Sequence, residues 1–190
     1  MPPEYPSKDV PDAQIVARVL AGEREEYAEL VRRHQAALYR HALGMVGSPD
    51  AAADLTQECL IRAFTRLQSC NDPARFGAWS FRILRNSCLD YLKDRRRQAV
   101  GIEDEGVLGV ANGDPELSLE QRELREAVFR ALDQLPDSQK EAFLLKHVEE
   151  LSYEEMTEQL GASTSALKMR VKRAREALQT LLAVRRGEEL

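Results

Sequence analysis

The 190-residue chain carries 31% charged residues, 6% aromatics and a formal net charge of −5. That balance argues against a general affinity for polyanions. No window approaches the roughly 18 uninterrupted apolar residues of a membrane span, and the opening MPPEYPSKDVPD has neither the basic region nor the apolar core of a signal peptide.

Taken in order, residues 1–11 hold four prolines and read as a loose leader. Asp12 is a candidate cap for a short helix, AQIVARVLA, that stops at Gly22. A longer helix is expected from about Arg24 to Val46, with Tyr27, Leu30, Val31, Leu38, Ala42 and Met45 on its buried side and Gly47 ending it. Ser48-Pro49, Asp72-Pro73 and Asp114-Pro115 each place a capping residue before a proline suited to the first helical position, so three helices are predicted to begin there.

The helix from Pro49 to about Leu67 buries Ala52, Thr56, Cys59, Leu60, Ala63, Phe64 and Leu67. Asp54, Gln57, Glu58 and Ile61 are spaced to share a different face. Two acids and a glutamine suit water; Ile61 beside them hints at a partner. The helix from Pro73 to about Arg96 is apolar over most of its circumference, with Phe76, Trp79, Phe81, Ile83, Leu84, Cys88, Tyr91 and Leu92. Its remaining ridge is Arg82, Arg85, Asn86, Leu89 and Lys93, continued by Arg95, Arg96 and Arg97. Cations with an asparagine along one ridge suit a nucleic-acid strand. The macrodipole accounts for residues 93–97 but not for Arg82 and Arg85. Those two read equally well as strand contacts or as intramolecular salt bridges.

Composition shifts from Gln98 to Gln121, where four glycines and six acids occur without a basic residue. This reads as a flexible acidic linker. The chain is thus expected to be all-α, with two helical domains: residues 1–97, a linker at 98–113, and a C-terminal domain at 114–190. In the second domain a helix runs to about Gln134, Leu135-Pro136 breaks it, and Ser138 with Glu141 is read as a capping box for the next helix, to about Val148.

A helix-turn-helix closes the domain between Ser152 and Leu182. Ser152 and Glu155 make a capping box, Gly161 supplies the turn, and Ser163 or Thr164 caps the second helix. Leu167, Val171, Ala174, Leu178 and Leu181 form its apolar stripe. Charge is sharply divided: 133–160 holds eight acids and two lysines, whereas 161–175 holds five basic residues and no acid. A second helix of this kind can enter the DNA major groove, its first residues near base edges and its cations near phosphates.

Cys59, Cys70 and Cys88 fit no zinc spacing and read as small residues of a reduced, cytoplasmic protein. His34 and His41, seven residues apart, read as one solvated face; His147 has no clustered partner. No metal or cofactor is expected. No phosphate loop, metal-spaced set or nucleophile elbow is present in the sequence, so an enzyme is not expected.

Three segments, DAAADLTQECLIRAF, FGAWSFRILRNSCLDYLKDRRR and LDQLPDSQKEAFLLKHVEELSYEEMTEQLGASTSALKMRVKRAREAL, resemble bacterial sigma factors of the extracytoplasmic-function group, in order and spacing. The resemblance implies an alternative sigma factor that binds RNA polymerase core and directs promoter-specific initiation. It implies that Asp54, Gln57, Glu58 and Ile61 dock on a coiled coil of the largest polymerase subunit. It implies that Asn71, Arg75, Arg82, Arg85, Asn86 and Lys93 meet the −10 element, where an unpaired base is captured. Ser163, Thr164, Ser165, Lys168, Met169, Lys172 and Arg173 would meet the −35 element. The acidic linker would thread the polymerase, and an anti-sigma factor would be a further partner. Glu150, Thr157 and Met169 depart from the commoner residues of that group, which have glycine, a small alanine and serine there. The alternative is a stand-alone helix-turn-helix regulator that binds palindromic DNA as a dimer; it leaves the face at Asp54, Gln57 and Glu58 unexplained.

Overall fold

The computed structural model describes residues 10–99 and 118–188, and every regular element among them is helical. The first four helices are α1 (Asp12–Leu20), α2 (Tyr27–Val46), α3 (Pro49–Thr65) and α4 (Phe76–Ala99); the last four are α5 (Leu119–Asp133), α6 (Asp137–His147), α7 (Tyr153–Leu160) and α8 (Thr164–Glu188). Among the described residues no helix is long and apolar enough to cross a membrane. Residues 1–9 of the N-terminal leader, the Asp114-Pro115 start signal and most of the expected linker lie outside the described residues.

Local chemistry sets most boundaries. Ser48 accepts the Ala51 N–H and Pro49 takes the first position of α3. Gly47, at φ 73°, ends α2 in the left-handed conformation that glycine adopts without steric cost. Three expected caps are corrected. The cap residue of α1 is Pro11; Asp12 lies inside the helix, and its carboxylate is held by Arg33 at 2.9 Å and His34 at 2.7 Å. Asp72-Pro73 opens only a 3-10 turn, Pro73–Arg75, because the Asp72 carboxylate turns to Arg75 at 3.5 Å and caps no N–H. The Ser138–Glu141 capping box does not form: α6 begins at Asp137 behind Pro136, and Glu141 is buried against the first domain. A box absent from the sequence reading does form at Ser118 and Gln121, opening α5.

The interior has three parts. Ile15, Val16, Val19, Leu30, Ala63, Leu67 and Phe76 pack α1 onto α2, α3 and the start of α4. Ala142, Leu145, Met156, Leu167 and Val171 make the core of the helix-turn-helix. The third part is shared by both domains. Leu38, Ala42, Met45, Leu84, Cys88 and Leu92 from the first domain meet Ala131, Leu132, Leu135, Leu144, Ala174 and Leu178 from the second. The two helical domains therefore pack on one another across an apolar seam. At that seam α2 and α6 approach so closely that a Cβ on Gly44 would stand 2.7 Å from Leu144 Cδ2.

Candidate polymerase and nucleic-acid interfaces

The face on α3 forms as its spacing requires. Asp54, Gln57 and Glu58 are exposed, and Ile61 is 57% exposed. Burying Ile61 under a partner would remove apolar surface from water, whereas its present setting does not. Beside it lies a groove of about 730 Å³ between α2 and α3, lined by Tyr27, Val31, Tyr39, Gln57, Ile61 and Phe64 among others. Tyr27 and Val31, expected on the buried side of α2, are half-buried walls of this groove; Tyr27 donates its hydroxyl to the Leu60 carbonyl at 2.7 Å. Sequence periodicity groups such residues with the core, since a groove wall and a core position share one helical spacing. Arg62 bridges outward from this face: it donates to Glu58 at 2.6 Å and to the Ser87 hydroxyl of α4 at 3.2 Å.

The ridge on α4 also forms, but part of it is occupied. Asn71, Asn86 and Lys93 are exposed. Arg75 donates to Glu158 of α7 at 2.5 Å, and Arg82 donates to the Glu158 main-chain carbonyl at 2.7 Å. Arg85 is paired with Glu141 of α6, whose side chain is only 1% exposed. Further along, Arg96 makes a two-pronged contact with Asp137 at 3.0 and 2.8 Å. In this arrangement the salt-bridge reading is realised for Arg85, whereas Arg82 is held by a main-chain carbonyl. Burial pushes the Glu141 carboxyl above the ordinary range, while the Arg85 guanidinium pulls it back down.

His41 sits at the same junction, against the Phe81 ring at 4.9 Å, and is 1% exposed. Neither ring nitrogen has a hydrogen-bond partner among the described residues. Loss of hydration, with the nearby Arg85 charge, depresses its pKa to about 4. The expected solvated histidine face is thus corrected. His41 belongs to the interior, and His34 is half-buried and tied to Asp12. The three cysteines are free thiols and buried, as small core residues should be.

Among the described residues, the lysines of the second basic helix make no contact with the first domain: Lys172 lies 3.7 Å from Glu176 of the same helix and Lys168 sits over the Tyr153 ring at 5.5 Å. Ser152 and Glu155 reciprocally cap α7, Gly161 turns at φ 63°, and Ser163 caps α8 by accepting the Ala166 N–H at 3.3 Å. Leu167, Val171, Ala174 and Leu178 are buried, which fixes the opposite face outward. Ser163, Ser165, Lys168 and Arg173 are exposed, Met169 is 46% exposed, and the Lys172 side chain is 65% exposed. Thr164 faces inward instead: its hydroxyl lies 3.5 Å from that of Thr157. Thr157 thereby joins the two helices of the motif. Glu150 is the one non-glycine residue of positive φ among the described residues, at 55°. That is the conformation a glycine would supply at lower steric cost.

Two family descriptions match these two helical units: Sigma-70 region 2 over residues 30–98 and Sigma-70 region 4 over residues 125–178. Together with the geometry they define a promoter-specificity protein of bacterial transcription. The relatives narrow the class. The extracytoplasmic-function RNA polymerase sigma-E factor of Escherichia coli is 30% identical over 182 residues, covering 90% of this chain and 94% of that protein. SigE of Mycolicibacterium smegmatis is 35% identical over 162 residues, covering 84% of this chain and 63% of that one. Among solved structures, the sigma factor RpoE of Bartonella quintana, in complex with the anti-sigma factor NepR, superposes with a TM-score of 0.69 at 29% identity, covering 84% of this chain and 98% of that one. CnrH, in complex with the cytosolic domain of CnrY, also superposes with a TM-score of 0.69, at 25% identity. The chain belongs to the extracytoplasmic-function group of the sigma-70 family. It is an alternative sigma factor, directing RNA polymerase to promoters for initiation.

Proposed function

We propose that this sigma factor works through three separate surfaces on a two-domain frame whose boundaries are those read from the sequence, residues 1–97, 98–113 and 114–190. Asp54, Gln57, Glu58 and Ile61 dock on a coiled coil of the largest polymerase subunit. Asn71, Arg75, Arg82, Arg85, Asn86 and Lys93 meet the −10 element, whose base, once out of the stack, needs nearby cations to offset the unstacking cost. The exposed face of α8, from Ser163 to Arg173, reads the −35 element, with Lys168 and Lys172 toward phosphates and Met169 suited to a thymine methyl. The acidic stretch lies along the polymerase between them. The partners are RNA polymerase core, promoter DNA and an anti-sigma factor, the last supported by neighbours solved in such complexes. The setting is the cytoplasm, and the role includes no catalytic step of its own.

The observation that carries this reading is Ile61. An apolar side chain stands exposed within an acidic, glutamine-bearing face, in the unit matched by Sigma-70 region 2. Run-off transcription with purified bacterial core polymerase and a promoter library tests it. Discrete new start sites that share spaced −35 and −10 elements are expected, with loss of core binding in the Gln57→Ala, Glu58→Ala double variant. A protein that ignores core and binds palindromic DNA alone would overturn it.

A further inference from the structure

Helix α1 lies ahead of the stretch matched by Sigma-70 region 2, which begins at residue 30, and no surface described above uses it. Its inner face, Ile15, Val16 and Val19, is buried, and two of the side chains packed with it are Leu67 and Phe76. Those two bracket the loop that carries Asn71 and Arg75. Leu67 opens the 3-10 turn Leu67–Ser69 ahead of the loop, and Phe76 is the first residue of α4 after it. Between Ser69 and Phe76 only Cys70 is buried; Asn71, Asp72 and Arg75 are exposed. One helix thus pins the loop at both of its apolar ends. The position of that helix is in turn set by ions. Arg33 of α2 donates to Asp12 at 2.9 Å and to the Val10 carbonyl at 2.6 Å, and its Nε donates to Glu29 at 2.6 Å. His34 meets the other Asp12 oxygen at 2.7 Å, and its ring lies 5.3 Å from that of Phe76. A Cβ on Gly77 would stand 3.0 Å from His34 Cε1. An apolar contact lets two helices slide, whereas a guanidinium fork with three acceptors allows one position.

We propose that α1 is the base plate of the −10 loop, and that Asp12, Arg33 and His34 are positioning residues for strand capture. The latch sets α1, α1 sets Leu67 and Phe76, and these set where Asn71 and Arg75 stand. The inference rests on the −10 reading of Asn71 and Arg75. An extruded base gains its hydrogen bonds and stacking from groups already in place, so a loop whose ends drift loses both rate and discrimination between bases. Asp12, Arg33 and His34 are half-buried and act through the loop, not on the strand. The hydrogen bonds of the latch stay among α1, α2 and Val10, so none of them reaches the docking face of α3 or the outward face of α8.

Asp12→Ala opens the latch without stranding a charge, because Arg33 keeps Glu29. Holoenzyme is assembled from the full-length protein and purified bacterial core polymerase on a promoter taken from the run-off library. Opening is followed by a fluorescent adenine analogue in the −10 strand at saturating holoenzyme, and repeated with each base in turn at the captured position. Asp12→Ala should bind core and −35 duplex as the wild type does, open the promoter about tenfold more slowly and lose most of its preference among bases. Asp12→Asn keeps an acceptor for Arg33 and should restore most of the rate and the preference. Arg33→Lys keeps the charge and loses the fork; it should repeat the Asp12→Ala result, and it serves where that variant does not fold. Core affinity and opening that fall together, with base preference unchanged, overturn the base plate in favour of a plain stability role. Unchanged opening and preference in Asp12→Ala, beside a defect in the Asn71→Ala, Arg75→Ala double variant, overturn it and leave the −10 reading standing. A double variant that opens promoters normally overturns both.

Discussion

Helices α4 and α8 are the two cationic helices of this protein, and they are treated in opposite ways. On α8 the apolar stripe is divided between the helix-turn-helix core, with Leu167 and Val171, and the shared seam, with Ala174 and Leu178; its lysines stay clear of the first domain, Lys172 beside Glu176 of the same helix at 3.7 Å and Lys168 over the Tyr153 ring at 5.5 Å. On α4 the cation Arg85, with Arg75 just before the helix, is met by a carboxylate of the other domain, and Arg82 by a main-chain carbonyl there. Sequence patterning is nearly identical for the two, a basic ridge beside an apolar face. What separates them is the chain that lies opposite, which spacing along a single helix does not encode. A basic ridge is therefore a statement about which charges want partners, and the fold decides whether the partner is carboxylate or phosphate.

The contrast is broken most severely at Arg85. Removing it leaves Glu141 buried and unpaired, and stranding a buried charge of this kind costs about 3 kcal/mol or more unless the domains separate to hydrate it. Arg85→Ala should lower the urea midpoint substantially, whereas Lys172→Ala on α8 should leave it within about 0.5 kcal/mol of wild type. The second prediction is a pH dependence centred on His41. Its folded pKa, about 4, lies below the ordinary 6.5, so the neutral ring is the one the fold accepts. Stability from this group is fully present above pH 6.5 and is lost as pH falls toward 4; at pH 5 the loss relative to pH 7 is about 2 kcal/mol. Equilibrium unfolding at pH 7 and pH 5 measures it, and His41→Leu should flatten the difference. The carboxylate of Glu29, held down to about 2 by Arg32 and Arg33, loses its contribution only below its ordinary 4.5 and so stays out of this window.

A smaller effect sharpens the comparison from the side of α8. Lys168→Ala and Lys172→Ala should each reduce the salt slope of holoenzyme binding to promoter duplex by about 1, with a several-fold loss of affinity at moderate salt. Filter binding across a salt series reads this directly, and an unchanged slope would remove these lysines from the phosphate contacts. The smallest expected change is a gain. Glu150→Gly relieves a left-handed residue and should add about 0.5–1 kcal/mol to the stability of the second domain, seen as a raised Tm.

Much of this architecture was legible beforehand because it is local. The capping box at Ser152 and Glu155, the glycine turn at Gly161, the serine–proline start at Ser48-Pro49 and the outward set Asp54, Gln57, Glu58 and Ile61 depend on residues within a turn of each other. What was not legible is long-range. Asp12 looks like a cap until Arg33 and His34 claim it from α2. Glu141 looks like the third residue of a capping box until Arg85 claims it from α4. The acids of residues 133–160 read only as one side of a sharp division of charge, whereas Glu141, Glu149 and Glu158 are bound to arginines of the first domain. His41 has the spacing of a surface residue, and packing of α4, α6 and α7 around it removes its water. In each case one side chain serves either a local or a distant partner equally well, and tertiary packing chooses.

The close approach at Gly44 carries a consequence for inheritance. Every glycine codon lies one base change from codons for alanine, valine and larger or charged residues, and each of these would place new atoms against Leu144. The joint between the domains can thus be reset by a single point mutation that touches no charged residue and no surface assigned to DNA or polymerase. A lineage can loosen the packing of the two domains at that one codon, with the outward residues of α3 and α8 left intact.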